Sequence, residues 1–379
     1  MVADLDLYRD REHSFIKHQF LTQYLRSAAY KTLQGRSPTF NFVDAFAGPW
    51  RVSDDAKYSD ASFDQAINTL EAVRSDLANR GIDGLKMRFC LCERRPDAAA
   101  RLRSYAAQKQ NFEIYIFEGE FENNLASIAS ELRDGFTFTF IDPTGWNIRN
   151  DKVFRFLREQ RGEFMLNFMS DHINRHAGYN EVSESFGRFL ADSEWSSDFA
   201  RLPGDWTNEQ RMLHLIKTAM RRNKIATYLP DFSIMLPRFE RLKMRLIFGT
   251  HNPHGLQLFR DVQQKVEIQE MEIRNSLREG ENPQVNLFSS EYIAEIQQQQ
   301  KGVGGKANRE RAQSIIMKYL EENPNALAGS VINVAMERIA IRKTQINTLL
   351  IDMRKRGIII FDLPPRKKVP QDNTRINLP

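Results

Sequence analysis

With 379 residues, the chain is long enough for about two or three domains, and 41% hydrophobic with 27% charged residues is typical of a globular protein. No apolar run approaches the ~20 residues of a membrane span, and the acidic start Met1–Asp6 lacks the order of a signal peptide. Cys90 and Cys92 are the two cysteines, which excludes a disulfide framework and a cysteine-rich metal site. We therefore expect a cytoplasmic protein without a bound metal or a membrane segment.

The net charge of +5 is unevenly distributed. Residues 305–379 carry 14 Lys and Arg against 7 Asp and Glu, whereas the rest of the chain carries 40 against 42. Basic character that is confined to one segment indicates that this segment contacts nucleic acid.

An amphipathic helix is predicted over residues 13–34, and apolar runs then alternate with helical segments as far as residue 169. This alternation is typical of a doubly wound α/β sheet. The predicted strands of the sheet are 40–44, 89–93, 114–118, 136–142 and 163–169.

Four of these strands end in or near a carboxylate: Asp44, Glu93, Glu118 or Glu120, and Asp142. Ligands of an open parallel sheet bind outside the carboxyl ends of the strands, so the four acids suggest one site. Acids also end strands as turn formers, which is the alternative for each. The first turn contains Gly48 but lacks G-x-G-x-x-G. This absence argues against a nicotinamide oxidoreductase and favours S-adenosylmethionine (SAM), whose ribose hydroxyls a carboxylate would bind.

Residues 171–229 interrupt the alternation as a polar, helical insertion. It would serve as a lid or substrate platform beside the crevice, or else only decorate the surface. Two further strands, from Phe232 and from Lys243, form an antiparallel hairpin that is typical of the end of a SAM-dependent methyltransferase sheet. With a helix to about residue 270, the sequence predicts a Rossmann-like domain over residues 1–270.

Residues 271–306 are rich in Gln, Glu, Asn and Gly, and predict a polar linker. Three helices and a hairpin with a basic tip follow, which predicts a winged helix over residues 307–379. Its third helix would present Arg342, Lys343, Gln345 and Asn347 to a major groove. The tip residues Arg366, Lys367 and Lys368 would lie at phosphates. Winged helices also mediate protein contacts, which remains the alternative.

At this point the chain resembles the three-Cys-motif partner family (TcmP), a methyltransferase-like family. The segments that carry the resemblance span about two-thirds of the chain: Ile16-Lys-His18 with Tyr24-Leu25, Val43–Pro49, Phe140–Pro143 with Gly145, and Leu246–Gly255. The resemblance implies a Rossmann-like methyltransferase fold, a SAM site and a radical-SAM-like partner protein with a three-cysteine motif. It does not supply a substrate.

The strand-end pattern and the family resemblance together suggest a role for each acid. Asp44 would hold the amino acid end of SAM, and Ala47 and Gly48 would let the backbone pass close to it. Glu93 would bind the ribose hydroxyls. Glu120 is preferred to Glu118 beside adenine because it lies past the strand end.

Asp142 and Pro143 are the catalytic candidates. In amino-methyltransferases of the Asp-Pro-Pro-Tyr type, the carboxylate and a proline carbonyl accept hydrogen bonds from the target amine, and the protein mainly positions the reactants. The alternative is an Asp that only binds cofactor or caps a turn.

Two residues depart from the family pattern. Trp50 stands where the family has a second glycine, and Thr144 stands where an aromatic residue follows Asp-Pro, although Trp146 could stack in its place. The sequence therefore predicts a SAM-dependent methyltransferase that acts on or beside DNA or RNA. The alternative is a non-catalytic adaptor that binds nucleic acid or a partner through the same fold.

Overall fold

The structure is a computed structural model. It describes residues 5–35, 37–48, 52–53, 57–109, 111–132, 134–143, 145, 148–170, 183–239, 241–281, 289–363 and 365–379. The chain divides into two units, Met1–His251 and Asn252–Pro379, each of which is described by itself. In the described ranges, no helix is both long enough and apolar enough to cross a membrane.

The N-terminal unit begins with a short 3-10 helix, Leu5–Tyr8, and is built around seven strands. The strands are β1 (Thr39–Asp44), β2 (Lys86–Glu93), β3 (Glu113–Glu118), β4 (Phe136–Ile141), β5 (Gly162–Phe168), β6 (Asp231–Met235) and β7 (Leu242–Gly249). The helices that connect them are α1 (Glu12–Leu33), α2 (Ser62–Asn79), α3 (Pro96–Gln108), α4 (Phe121–Glu131) and α5 (Asn150–Glu159), followed by α6 (Ser183–Leu190), α7 (Trp195–Arg201) and α8 (Asn208–Arg222).

All seven strands form one sheet in the order β3-β2-β1-β4-β5-β7-β6. The strands β1 to β5 run parallel, and β7 runs antiparallel to both β5 and β6. The direction of winding reverses between β1 and β4, which makes the carboxyl ends of these two strands the topological switch point. This arrangement confirms the predicted α/β class with a Rossmann-like methyltransferase sheet, including its terminal antiparallel hairpin.

The central strands are buried along most of their length and are rich in apolar residues, because helices cover both faces of the sheet. Phe40, Phe42 and Val43 of β1 are completely buried, as are Phe89 and Leu91 of β2. The thiols of the two cysteines are also buried in β2 and are not bonded to each other. The continuous runs that predicted these strands are therefore the core of the unit.

The insertion after β5 is helical, as predicted, over its described part. Helices α6, α7 and α8 contribute Phe186, Phe189, Trp195 and Met212 to the same buried cluster that contains Phe168 of β5. A reciprocal capping box of Thr207 and Gln210 starts α8. The insertion therefore shares the core of the sheet and is more than a surface decoration.

The C-terminal unit contains five helices and two short strands among its described residues. They are α9 (Pro253–Glu281), α10 (Ser290–Lys301), α11 (Lys306–Glu322), β8 (Ala326–Leu327), α12 (Ala328–Arg338), α13 (Lys343–Lys355) and β9 (Arg375–Ile376). Strand β8 pairs antiparallel with β9, and an isolated bridge joins Ile360 to Asn377. The three helices match those of the predicted winged helix. The predicted hairpin is represented by the single bridge between Ile360 and Asn377, and the winged-helix assignment remains a prediction.

The division between the units differs from the predicted boundary near residue 270. Helix α9 runs without a break from Pro253 and belongs with the C-terminal unit. The Asn252 Oδ1 atom accepts a hydrogen bond of 2.9 Å from His254 N, so the predicted helix cap is the place where the second unit begins.

The predicted linker 271–306 is largely helical where the structure describes it. The Gln-rich run lies on α10, where Ala294 and Gln298 face inward while Gln299 and Gln300 face water. The Glu267 carboxylate of α9 accepts a hydrogen bond of 2.7 Å from Val303 N and thereby fixes the Gly-rich turn. Composition had suggested flexibility, but a half-buried helix and a buried carboxylate order this segment.

Candidate functional site

The carboxyl ends of β1, β2 and β4 bring three of the predicted acids to one edge of the sheet. The register pairs Asp44 with Phe140 on β4 and with Leu91 on β2, so Asp142 and Glu93 each lie two positions beyond these partners. Asp44 is completely buried and Glu93 is 2% exposed. These three predicted acids therefore lie at the same edge of the sheet, at or next to the switch point.

Asp44 is fixed by the protein itself. Its Oδ1 atom accepts a hydrogen bond of 3.1 Å from Phe46 N, and its Oδ2 atom accepts one of 2.8 Å from Ser62 Oγ. Burial raises the pKa of Asp44 to about 7, against the lowering effect of these two hydrogen bonds. Asp44 thus ties the turn after β1 to the start of α2.

Gly48 allows the backbone of this turn to pass against Glu93. A Cβ atom on Gly48 would overlap the Glu93 Oε2 atom, so any larger residue here would displace the Glu93 carboxylate. The Oε1 atom of Glu93 accepts a hydrogen bond of 2.7 Å from Arg95 N, and Ala47 N donates one of 2.9 Å to Cys92 O. The result is a cradle between the ends of β1 and β2 with a buried carboxylate as its floor.

The two acids that were expected near adenine lie at the exposed side of this edge. Glu118 ends β3 and forms an ion pair of 2.8 Å with Arg103. Glu120 is exposed, precedes α4 and accepts a hydrogen bond of 3.3 Å from Asn123 Nδ2. Neither side chain is buried with Asp44 and Glu93, and a role beside adenine stays a prediction.

Asp142, directly after β4, is held on both oxygens. Lys17 of α1 forms an ion pair with Oδ2, and Asn167 Nδ2 of β5 donates a hydrogen bond of 2.6 Å to Oδ1. Pro143 is buried. Trp50, Thr144 and Trp146, on which the family comparison depended, lie outside the described residues.

Two polar atoms near Asp142 are buried without a hydrogen-bond partner among the described residues: Asn167 Oδ1 and His13 Nδ1. Burial and the nearby Lys17 charge lower the pKa of His13 to about 4, so its imidazole is neutral at pH 7. His18 accepts or donates a hydrogen bond of 2.8 Å with the Tyr8 hydroxyl, and burial holds its pKa well below the usual value. The cationic charge beside Asp142 is therefore that of Lys17.

Sequence reasoning missed Asn167. Its signal was an amide near the end of the apolar strand Glu163–Met169, where the other strands of the sheet carry acids. In the described ranges, no three His, Cys, Asp or Glu side chains converge as a metal site would require.

A partly buried ionic group fastens the insertion to the same edge. Arg245 of β7 contacts Glu209 of α8 at 2.5 Å and Asp231 of β6 at 2.7 Å. Lys217 of α8 also pairs with Asp231. These charges satisfy one another, so we assign them to the structure of the edge rather than to ligand binding.

The residues predicted to contact nucleic acid fall into two groups within the C-terminal unit. Arg366, Lys367 and Lys368 are all exposed, and Arg366 has a positive φ of 61° that turns the chain. Lys343, in contrast, pairs with Asp372 at 2.8 Å, and Arg342 lies 4.0 Å from Asp261.

Gln345 does not extend from the helix surface as expected. Its Nε2 atom donates a hydrogen bond of 3.3 Å to Val303 O, and its Oε1 atom accepts one of 2.9 Å from Arg342 N. The tip is thus the freer basic surface, and the start of α13 is partly neutralised.

The strand order, the switch point and the buried acids define a methyltransferase-like Rossmann fold. No family model and no curated protein matches the sequence.

Solved structures show distant likeness. A DUF519-family protein from Legionella pneumophila aligns with a TM-score of 0.39 and 12% identity over 71% of this chain and 92% of that chain. A loganic acid methyltransferase with S-adenosylhomocysteine (SAH) aligns with a TM-score of 0.28 and 8% identity over 78% and 90%. At such TM-scores these likenesses carry no argument, and the fold is assigned from the sheet itself.

Proposed function

We propose that this chain is a SAM-dependent methyltransferase that acts on DNA or RNA. The observation that carries the proposal is the cradle of Gly48 and Glu93 between the ends of β1 and β2, next to the switch point where Asp142 is held. A glycine that lets backbone approach a buried strand-end carboxylate suits a ligand with ribose hydroxyls.

The residues of the cradle fit the cofactor in distinct ways. Glu93 would accept hydrogen bonds from the ribose hydroxyls with the Oε2 atom that faces Gly48. Asp44 already accepts from Phe46 N and Ser62 Oγ, so it would act on the amino acid end of SAM by shaping the turn that contains Ala47. Glu120 is the candidate for the adenine edge.

When bound, SAM supplies a methyl group that is already activated for transfer to a nucleophile. The protein then needs to orient the acceptor and exclude competitors. Asp142 is fixed in orientation by its two donors and would accept a hydrogen bond, and finally a proton, from an acceptor amine. Pro143 is buried and restricts the backbone next to Asp142. The Pro143 carbonyl is the second predicted acceptor.

The C-terminal unit would bind the nucleic acid. We propose that it is a winged helix whose tip, Arg366 to Lys368, contacts phosphates, with Arg342 and Lys343 at the start of α13 closer to the bases. The radical-SAM-like three-Cys-motif partner belongs to the same proposal and rests on the family resemblance alone.

The test is transfer of a labelled methyl group from SAM to total RNA and to genomic DNA by the full chain. We expect incorporation into one of the two, loss of incorporation in Asp142→Asn, and unchanged incorporation in Asp97→Asn, a matched control on the exposed start of α3. Incorporation that survives Asp142→Asn would remove Asp142 from the reaction.

The nucleic-acid part has its own test, the salt dependence of binding. Replacement of Arg366, Lys367 and Lys368 by Ala should lower the slope of log affinity against log salt concentration by up to about 2.7, because each phosphate contact contributes about 0.9. An unchanged slope would reassign the C-terminal unit to protein contact.

A non-catalytic adaptor is the second candidate, and one observation favours it. Both oxygens of Asp142 already have donors, so an acceptor amine has to share them. Nucleic-acid binding without methyl transfer, by a protein that binds SAM, would select the adaptor.

A further inference from the structure

The turn between β6 and β7 (residues 236–241) carries an exposed aromatic ring among basic side chains. Phe239 is 64% exposed and is the most exposed large apolar side chain in the described part of the chain. Arg238 and Arg241 on either side of it are also exposed, and Lys243 is half-buried. Water solvates a phenyl ring poorly, so a ring held among cations suits a ligand that combines a flat apolar face with negative charge.

This β6–β7 turn is ordered and its charges are accessible. Leu236 N donates a hydrogen bond of 2.8 Å to Arg241 O and closes the turn, in which Pro237 has a fixed φ. Arg238 lies 3.9 Å from Asp10, whose side chain is 78% exposed. An ion pair as exposed as this contributes little stability, so the phosphate of a ligand can compete for Arg238.

The β6–β7 turn lies beyond the same edge of the sheet as Asp142. Leu246 of β7 pairs with Asn167 of β5, which donates its hydrogen bond to Asp142, so Leu246 marks the level of that carboxylate. Because β7 runs away from this edge, Lys243 lies three residues farther out, about 10 Å at the rise of a strand. Strand β5 separates β7 from β4, which adds a lateral offset of about 10 Å.

Electrostatic contacts agree with this position. Burial lowers the pKa of the His13 imidazole, and the charges of Lys17 and Lys243 lower it further. The Asp142 charge opposes them, so Lys243 and Asp142 both act on the same imidazole. A polymer that extends from an acceptor group at Asp142 would therefore pass over the β6–β7 turn.

Single-stranded nucleic acid matches these features. Binding surfaces for single strands combine cations that follow the phosphates with aromatic rings on which bases stack. In a duplex both faces of an internal base are already stacked, so Phe239 has no base face to contact there. A lipid surface also attracts cations and aromatic rings, but one ring on a turn offers much less apolar area than an amphipathic helix.

We propose that the β6–β7 turn is a contact surface for a single strand of DNA or RNA. The Phe239 ring stacks on a base, and Arg238, Arg241 and Lys243 contact the phosphates on either side of that base. This inference rests on the proposed function and extends it, because it adds a nucleic-acid contact in the N-terminal unit that is separate from the C-terminal basic residues. The substrate is then a strand that is unpaired where it crosses the turn.

The experiment measures fluorescence anisotropy of labelled probes of about twelve nucleotides with the full chain. The probes are oligo(dA), oligo(rA) and a DNA duplex of the same length. The parent protein has Arg366, Lys367 and Lys368 replaced by Ala, which removes the proposed phosphate contacts of the C-terminal unit. We expect at least one single strand to bind at least tenfold more tightly than the duplex, and the tighter strand identifies DNA or RNA. Absence of single-strand binding, or equal affinity for the duplex, would overturn the proposal.

Variants of Phe239 test the stacking. Phe239→Leu keeps an apolar side chain without a ring and should weaken single-strand binding at least fivefold. Phe239→Trp keeps a ring and should bind at least as tightly as the parent. Tyr292→Leu is the matched control, because Tyr292 of α10 is an aromatic residue that is 48% exposed, and its affinity should not change. Equal affinity of Phe239→Leu and the parent would contradict the stacking contact.

The phosphate contacts are tested by salt dependence. Arg238→Gln combined with Arg241→Gln should lower the slope of log affinity against log salt concentration by up to about 1.4, because each single-strand phosphate contact contributes about 0.7. Arg155→Gln combined with Arg158→Gln is the control, since both arginines are exposed on α5, and the slope should stay as in the parent. An unchanged slope in the turn variant would remove these arginines from the contact.

Failure of the proposed function is read separately, because the anisotropy series contains no SAM. Absence of SAM binding or of methyl transfer contradicts the methyltransferase and does not alter strand binding by the turn. Strand binding that is insensitive to Phe239→Leu and to the paired arginine variant contradicts the turn alone. Binding of phosphatidylserine vesicles that requires Phe239, without binding of either single strand, would replace the nucleic acid by a membrane surface and overturn the proposal.

Discussion

Two half-buried carboxylates at opposite edges of the same sheet have contrasting surroundings. At the amino end of β5, Glu163 accepts hydrogen bonds of 2.6 Å from the Tyr24 hydroxyl and 2.8 Å from Thr250 Oγ1. At the carboxyl end of β4, Asp142 accepts from Lys17 and Asn167. Each carboxylate has one donor on each oxygen.

The difference lies in the donors. The hydroxyls of Tyr24 and Thr250 are neutral. Each uses its single O–H donor in its hydrogen bond to Glu163. Lys17 brings a full charge with two further N–H groups, and Asn167 keeps an unpaired oxygen. A closed network holds the fold together, whereas an open one is prepared for a ligand. The comparison therefore assigns Glu163 to stability and supports the proposal that the opposite edge binds a ligand.

The largest expected effect is on the carboxyl edge. Gly48→Ala places a Cβ atom against Glu93 Oε2 and displaces that carboxylate, which removes charge-assisted hydrogen bonds to the ribose. We expect SAM affinity to fall about 100-fold, with little change in the thermal unfolding temperature. Calorimetric titration measures the affinity. Gly204→Ala is the control, because a Cβ atom there meets nothing within 4 Å. Unchanged SAM affinity in Gly48→Ala would mean that the cradle is not the cofactor site.

The second largest effect is a loss of stability at the amino end of β5, where Glu163 lies. Tyr24→Phe removes a donor from the buried Glu163 carboxylate and should lower the free energy of unfolding by about 2–3 kcal/mol. SAM affinity should not change. Urea denaturation followed by circular dichroism measures the stability. Tyr115→Phe provides the control, since the Tyr115 hydroxyl makes no hydrogen bond to the described residues. A loss of SAM affinity with retained stability would break the distinction between the two edges.

The smallest effect is a pH dependence of stability. Burial raises the pKa of Glu163 from 4.5 to about 6 in the folded protein. The folded state therefore binds more protons than the unfolded state between these values. The stability contributed by Glu163 is complete below pH 4.5 and is lost as the pH rises through 6.

Glu163→Gln removes this titration. Between pH 4.5 and 6, the free energy of unfolding of the wild type relative to the variant should fall by about 1–2 kcal/mol. Parallel urea titrations at several pH values measure the difference. A constant difference across this range would show that Glu163 has an ordinary pKa in the folded protein.

The sequence predicted the sheet and three of its acids because both depend on local patterns. Strands buried on both faces read as continuous apolar runs, and Asp44, Glu93 and Asp142 each follow such a run directly. The Asn252-Pro253 cap was also readable, since an N-cap side chain acts within its own turn.

The contacts of Asp142 were not predictable in the same way. Lys17 lies 125 residues before Asp142 in sequence, and Asn167 lies 25 residues after it. Only the completed fold brings α1 and β5 to the end of β4.

The prediction of a flexible linker from the Gln-rich segment differed from the structure for a related reason. Its composition is that of a solvated chain, and the buried Glu267 that orders the adjoining turn lies on another helix.

The most direct test of the account is calorimetric titration of the purified full chain with SAM and SAH, repeated on Glu93→Ala and Glu113→Ala. Both are acids of the same sheet, and Glu113 lies exposed at the amino end of β3, where it pairs with Arg88. We predict micromolar binding by the wild type, a loss of about 100-fold in Glu93→Ala and no change in Glu113→Ala. Absence of binding by the folded wild type, or equal binding by Glu93→Ala, would contradict the assignment of this edge as a cofactor site.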